Sequence, residues 1–515
     1  MRRTVIATTA LLLLAGTLPA AASAKATVPT GTTASAAGLS AQDRLTLHRY
    51  AVDTWASLAA MTDRRSGLPA DSLGDDGVRS VQTSTTNIGA YLWSAVAAEQ
   101  LGIIQKSELR QRLSTTLSTL ERMERSSGGQ FFNWYDAGSG AVLTSWPPTG
   151  DPLTPILSSV DNAWLATGLR VVRGAVPALA SRAAALYSSM DFGVYYRPEV
   201  NRIAFHIVPS TGESPCCYDT VVSESRMASY LGIANRQLPQ KEYFGAWRTF
   251  PADCSGAWQE TRPSGPTRTY FGQTVFDGSY SYAGLRITPG WGGSAFEALM
   301  PALFVPEERW GPGSWGSNHP NTVRAQIHHG LVEAGYGYWG FSPSNNPDGG
   351  YSTYGVDAIG SNPEGYPSNN DNTLVDNGFA GCPNRPAKPA PAPASYTNGV
   401  VTPHASFLGL RWEPRAVLGN LARLRRDFAI YSHWGFRDAV NVGTGRVSPA
   451  YLSLDQGMIM AAIGNALTQD GLRRAFSGPD LERWLRPVLA VETFNQPPDP
   501  ATGGLSGIPI GAAGK

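Results

Sequence analysis

The sequence predicts an all-α fold in which helices pair and close into a ring, with long irregular loops and a few short strands. Three observations carry this reading. Apolar residues recur at the helical period in about a dozen segments. The joins between these segments are rich in Gly and aromatic residues. Several segments are apolar nearly all round, as helices covered on both faces are.

The elements follow in order. Ser40 fits an N-cap, with Asp43 three residues on, ahead of an amphipathic stretch from Leu45 to Met61. Further helices are expected over Asn87 to Leu101, Lys106 to Arg125, Ser159 to Arg173, Pro177 to Ser189 and Thr220 to Ala234. Pro177 suits a first helical position, where no backbone N–H is needed. The series continues with Ser294 to Leu303, Asn321 to Gly335, His404 to Gly409, Pro414 to Asp427, Tyr451 to Leu467 and Asp480 to Val488. Short strands are expected over Arg202 to Val208 and Thr267 to Thr274. The segment from Tyr338 to Ser395 breaks the pattern with its Gly, Asn, Asp and Pro. Loops of that length tend to be functional or disordered. Its first half reads as lining a site, and its Pro-rich second half, near 383–395, as a surface excursion.

The start of the chain reads as a secretory signal over residues 1–24. Arg2 and Arg3 precede the apolar run from Leu11 to Leu14, and Ala22-Ser23-Ala24 fits a small-x-small cleavage site. The mature protein is thus expected to be secreted, beginning near Lys25. Residues 25–39 read as a flexible leader, 40–490 as one helical domain, and 491–515 as a tail. Four cysteines, Cys216, Cys217, Cys254 and Cys382, can oxidise in an exported protein. A bridge directly between Cys216 and Cys217 would be strained, so each is expected to reach out to Cys254 or Cys382. Without a Cys-x-x-Cys pair, a thiolate zinc site is not expected.

With 41 basic and 40 acidic residues, the net charge is +1, and no basic run offers a footprint for nucleic acid. A neutral substrate fits better. The 14 tryptophans lean slightly toward carbohydrate, whose apolar faces stack on indole rings.

Several carboxylates stand out by their company. Glu224 shares a helical face with Val221, Ala228 and Leu231, and Val222, Tyr230 and Ile233 make the other side apolar. A carboxylate so buried is costly unless paired or functional, and desolvation would raise its pKa as a general acid requires. A structural ion pair with an Arg is the alternative. Asp455 stands alone in an apolar run from Tyr451 to Met460. Near a helix start the dipole favours its ionised form, which suits a general base; a helix-capping role competes. Asp161 opens another apolar helix, and Trp164 and Trp134-Tyr135 beside it could form a sugar platform. Glu297 fits a capping box with Ser294. Asp357 is open, His328-His329 reads as a packing or surface pair, and Asn369 to Asn377 as a turn-rich cluster in preference to a calcium loop. No nucleophile elbow, phosphate loop or dinucleotide fingerprint is present.

Six segments then resemble a known family when taken in order. They are Thr83-Ser84-Thr85-Thr86-Asn87-Ile88-Gly89, Phe132-Asn133-Trp134-Tyr135-Asp136, Ser159-Val160-Asp161-Asn162, Tyr218-Asp219 with Ser223-Glu224-Ser225-Arg226, Gly292-Gly293-Ser294-Ala295-Phe296-Glu297-Ala298-Leu299-Met300-Pro301, and Leu454-Asp455-Gln456-Gly457. Together they resemble the glucoamylase-like family of bacterial endo-β-1,2-glucanases, related to the transglycosylating domain of cyclic β-1,2-glucan synthases. The resemblance runs from about Leu45 to Leu467 and implies an (α/α)6 toroid with its site at the centre. It implies Glu224 as the acid, with Asp161 and Asp455 as acidic groups of the same pocket, and an inverting, endo-acting hydrolysis without a cofactor or metal. Phe341-Ser342-Pro343-Ser344 stands where the synthases carry Ser-Glu-Ser, which favours water as the acceptor. Candidate sugar contacts are Asn87, Trp134, Tyr135, Arg226, Trp291, Glu297 and Trp434. The expected partner is a polysaccharide or oligosaccharide, bound by a monomer, with no nucleic acid and no membrane after signal cleavage. A non-catalytic polysaccharide-binding toroid and a polysaccharide lyase are the rival readings.

Overall fold

The structure is a computed structural model and describes residues 38–250, 261–361 and 399–494. The signal segment, most of the leader, Cys254, Cys382, the Asn369 to Asn377 cluster and the Pro-rich excursion lie outside the described residues. The helices are α1 (Ala41–Met61), α2 (Thr85–Gln100), α3 (Lys106–Leu120), α4 (Ser159–Ala175), α5 (Ala180–Ser188), α6 (Arg226–Ala234), α7 (Ala295–Leu299), α8 (Glu307–Trp310), α9 (Trp315–His328), α10 (Pro403–Leu408), α11 (Pro414–Asp427), α12 (Ser453–Leu467), α13 (Gly471–Phe476) and α14 (Pro479–Leu489).

Six of them make an inner ring. Helix α2 packs on α4 and on α12, α4 on α6, α7 on α10, and α10 on α12. Arg226 closes the remaining gap, its guanidinium donating to the Glu297 and Ala298 carbonyls of α7 at 2.9 and 2.7 Å. The outer layer is α1 against α12 and α2, α3 against α2, α5 against α4, α9 against α7, and α11 against α10. Between α6 and α7 the described chain forms hairpins in place of an outer helix, and α14 returns from the C-terminal side to cover α6. This is the (α/α)6 toroid. The inner helices α2 and α12 are buried nearly all round, whereas outer α11 is apolar on one face only, with Arg415 and Arg425 among its exposed or half-exposed positions.

Ser40 caps α1 as expected, in a reciprocal box with Asp43. Strands are short and pair in twos. The expected strand over Thr267 to Thr274 is a hairpin, Thr267–Tyr270 against Gln273–Phe276, and the one over Arg202 to Val208 is two separate pairings. Helix α6 begins at Arg226, six residues later than its periodicity predicts. Tertiary bonding holds residues 220–222 out of the helix, and a turn over 223–225 follows: Thr220 bridges Trp247, Val222 bridges Gly290, and the Val221 N–H donates to the Trp247 carbonyl at 2.8 Å. Cys216 and Cys217 are paired with each other, not with a distant partner as the sequence suggested.

Candidate active site

The inner helices run parallel, because their first turns meet one another around one mouth of the ring. Thr86 in α2 donates to the Asp161 carboxylate in α4 at 2.6 Å. Ser223 and the Glu224 N–H, just ahead of α6, donate to Glu297 in α7 at 2.9 Å each. His404 in α10 lies 3.3 Å from Asp455 in α12. Each inner helix, or the turn leading into it, therefore delivers one polar side chain to this mouth: Asn87, Asp161, Glu224, Glu297, His404 and Asp455.

Glu224 sits in the turn leading into α6, not on a helix buried all round, and is half-buried. The Trp164 indole N–H donates to its Oε2 at 2.5 Å. Desolvation first, then the charge of Glu297, push its carboxyl well above the usual range, against the pull of Trp164. Glu297 does not turn back to its own N-cap amide, as a capping box would have it. Ser294 caps the Glu297 N–H at 3.2 Å, but the Glu297 carboxylate reaches across to Ser223 and Glu224. Two carboxyl groups thus share this corner, and desolvation raises both. The Glu224 proton is the better placed, because Glu297 receives two donors that stabilise its anion.

Asp161 is likewise free of capping duty: Ser158 accepts its N–H at 3.3 Å. With the Asn133 amide turned so that both of its ends find partners, its nitrogen donates to the second Asp161 oxygen at 2.9 Å. Burial raises its pKa, opposed by the Ser158 and Thr86 hydroxyls. Asn87 donates to Asp71 at 2.8 Å, which adds a carboxylate absent from the sequence reading.

Asp455 departs from expectation. It makes no cap, and burial, then the neighbouring Asp438 and Asp71 charges, raise its pKa well above the usual range, against the helix-start effect. Asp438, pushed up to about 6 by burial, is its partner. The ligand atoms of His404, Asp438 and Asp455 lie within 4.8 Å of one another, the one set among the described residues with metal-ligand chemistry. The His404 tautomer keeps its Nδ1 from ligating an ion. Thr402 spends its single hydroxyl proton on the Asp438 carbonyl at 2.6 Å, so the 2.7 Å contact to His404 Nδ1 needs a proton on that nitrogen. Nδ1 then has no lone pair to offer, and a proton between the carboxyls fits the set.

The candidate sugar contacts divide. Trp134, Trp291 and Trp434 are half-buried on segments that lead into or flank the inner helices, with ring neighbours Trp146, Tyr218 and Tyr451 respectively. Tyr135 is 0 % exposed, its hydroxyl donating to the Glu124 carbonyl at 2.7 Å, so it belongs to the core. Trp164 is also fully buried and holds Glu224 in place of stacking on sugar. Arg226 is buried in an ion pair with Glu307 at 2.7 Å and is a positioning residue. His329 packs against Phe341, as a packing pair would. A separate cavity of about 390 Å³ lies at the other end of α10 and α12, lined by Phe407, Leu408, Ala462 and Ala466, away from these acids.

The family described as "Putative glucoamylase" matches residues 218–477, half of the chain. The chain belongs to this family. A second family, described only as a protein of unknown function, matches residues 49–196. Cyclic beta-(1,2)-glucan synthase NdvB of Rhizobium meliloti is 27% identical over 324 residues, covering 60% of this chain. The chain spans only 9% of that relative's length. Among solved structures, an endo-β-1,2-glucanase of Chitinophaga pinensis in complex with sophorotriose and glucose aligns with a TM-score of 0.61 at 18% identity, over 88% of this chain and 98% of that one. An endo-β-1,2-glucanase of Talaromyces funiculosus in complex with sophorose aligns at 0.57 and 12% identity, over 85% of this chain and 86% of that one. These likenesses bear out the toroid of the glucoamylase-like family.

Proposed function

We propose that this member of the glucoamylase-like family is a secreted, inverting glycoside hydrolase that cuts β-1,2-glucan internally. One observation carries the reading: a half-buried glutamic acid kept protonated by desolvation and a second carboxylate, across the ring from a buried aspartate pair. In the order α2, α4, α6, α7, α10, α12, the segment bearing Glu224 faces α12 from the opposite side of the ring. Inversion needs the acid and the base on opposite faces of the sugar, with room for water between them. That supports Asp455 over Asp161 as the base, since α4 is the immediate neighbour of α6.

In this reading Glu224 gives its proton to the leaving glycosidic oxygen as the C1–O bond breaks. Water adds to C1 and yields its proton to Asp455. Asp161 orders the floor beside Glu224, and Trp134, Trp291 and Trp434 offer stacking faces to a neutral glucan. The synthase and glucanase relatives act on or bind β-1,2-linked glucose by their names, which supports the linkage. The N-terminal signal pattern supports export, and mass spectrometry of the protein from culture medium checks it by a mature N-terminus near Lys25.

The deciding experiment is reducing-end release on a panel of glucans by the purified chain and by Glu224→Gln. Release from β-1,2-glucan, lowered at least ~10²-fold in the variant, is the expected outcome. Near-normal turnover by the variant sinks the acid assignment. Release only from another polysaccharide rejects the linkage, and binding without release supports a carbohydrate-binding role.

A further inference from the structure

Asp438 lies in the loop between the Tyr431–Ser432/Gly435–Phe436 hairpin and α12, and is 2 % exposed; Asp455 is 3 % exposed. Among the described residues no cation is set against them: the groups beside them are Asp71, which is acidic, and His404, whose burial pulls its pKa down to about 3 and keeps it neutral. Two ionised carboxylates cannot coexist there without a counter-charge. Asp438 is nonetheless oriented: the Asn345 N–H donates to its Oδ2 at 2.5 Å. His404 Nδ1 lies 3.3 Å from Asp455 Oδ2, with its proton committed to Thr402. Asp438 Oδ1 and Asp455 Oδ2 are buried without a hydrogen-bond donor from the described residues. A proton between the two groups removes this deficit.

We propose that Asp438 and Asp455 act as one unit sharing a single proton, in which Asp438 is the positioning residue that controls when Asp455 accepts the proton of the attacking water. This rests on reading Asp455 as the base. The balance is complete. The pair begins with one proton and one negative charge. As the water oxygen bonds to C1, the water proton passes to Asp455, and the pair becomes neutral. After product leaves, it returns one proton to solvent, while Glu224, having lost its own to the leaving oxygen, regains one.

Asp438→Asn keeps the shape and the acceptor for the Asn345 N–H but removes the second titrating group. The active pair carries one proton, so the acidic limb of the kcat/KM profile reports the uptake of a second. The Asn amide is a weaker donor to the Asp455 carboxylate than the shared proton, so that limb moves to higher pH by about one unit. Simple structural damage would lower activity at every pH without moving the limb. An unmoved limb in Asp438→Asn, with Asp455→Asn inactive, overturns the shared proton alone. Full activity of Asp455→Asn instead overturns the base assignment beneath it. Carbon-13 NMR of the unmodified protein labelled at Asp carboxyls gives a check that needs no variant to be active. Two carboxyl signals titrating together in two separated steps are expected, and their assignment is fixed by loss in each Asn variant. Independent single-step titration of the two groups overturns the proposal.

Discussion

Glu224 keeps its proton through a balance of burial and two close neighbours, and each neighbour can be changed separately. Burial and the Glu297 charge raise its pKa, and the Trp164 N–H lowers it. A general acid must be protonated, so activity falls as pH rises through that pKa, and the alkaline limb reports it. Glu297→Gln removes the repelling charge while keeping an acceptor for Ser223 and the Glu224 N–H. The alkaline limb is expected to move to lower pH. Trp164→Phe removes a donor that favours the ionised form, and the limb is expected to move to higher pH. Measuring kcat/KM against pH for both variants checks the signs, and movement in the same direction would contradict this balance. At this scale the sequence disclosed Glu224 and Asp455 by their apolar company. It did not disclose Asp71, Asp438 or His404. The two aspartates sit in loops without periodicity, and His404 lies in a short helix with nothing beside it in sequence to mark a partner.

Among the elements, helix boundaries follow local periodicity wherever tertiary bonding does not compete. Helix α11 runs over Pro414–Asp427 as its pattern predicts, with Pro at the first position. Helix α6 loses its first six expected residues to bridges with Trp247 and Gly290, and that loss is what turns Glu224 into the mouth of the ring. The tightest inner contact is α2 on α4. A Cβ on Gly89 would come within 2.3 Å of the Trp164 carbonyl oxygen, and one on Gly168 within 2.7 Å of the Gly89 oxygen. Both obstacles are backbone, so neither can swing aside. Gly89→Ala is expected to destabilise the protein by about 1–3 kcal/mol or more, as overpacking does. A lower urea midpoint with an unchanged slope is the measurement. An unchanged midpoint would mean that the two helices can separate freely. Because Trp164 holds Glu224, activity should fall along with stability.

For the whole molecule, ring closure depends on a buried ionic cluster between α6, α8 and α9. Glu307 accepts Arg226, the Tyr230 hydroxyl at 2.6 Å and His319 at 2.9 Å, and none of the pair Arg226–Glu307 reaches solvent appreciably. Despite a desolvation that raises it, Arg226 and His319 hold Glu307 down to about 2. Its stabilisation is therefore present above the ordinary carboxylate range and is lost as pH falls toward 2. Glu307→Gln leaves Arg226 buried without its counter-charge, and a loss of about 3–5 kcal/mol is expected. The thermal midpoint of the variant should fall at neutral pH and depend less on acid than that of the unmodified chain. A midpoint equal to the unmodified protein's would show that the cluster is dispensable.

The sequence by itself determined the helices, their alternation of apolar and polar faces, and the acids most at odds with their surroundings, because these are properties of residues within a few turns of one another. Only the tertiary structure decided which acids meet. Thr86 reaches Asp161 across 75 residues, Ser223 reaches Glu297 across 74, and Asp455 finds His404 from a different helix. It also decided that Tyr135 and Arg226 are spent on the fold, since only packing shows which polar atoms are already satisfied. Ionisation followed the same division: a helix start favours an ionised Asp455, whereas burial and the Asp438 charge raise its pKa, and that burial exists only once the ring has closed.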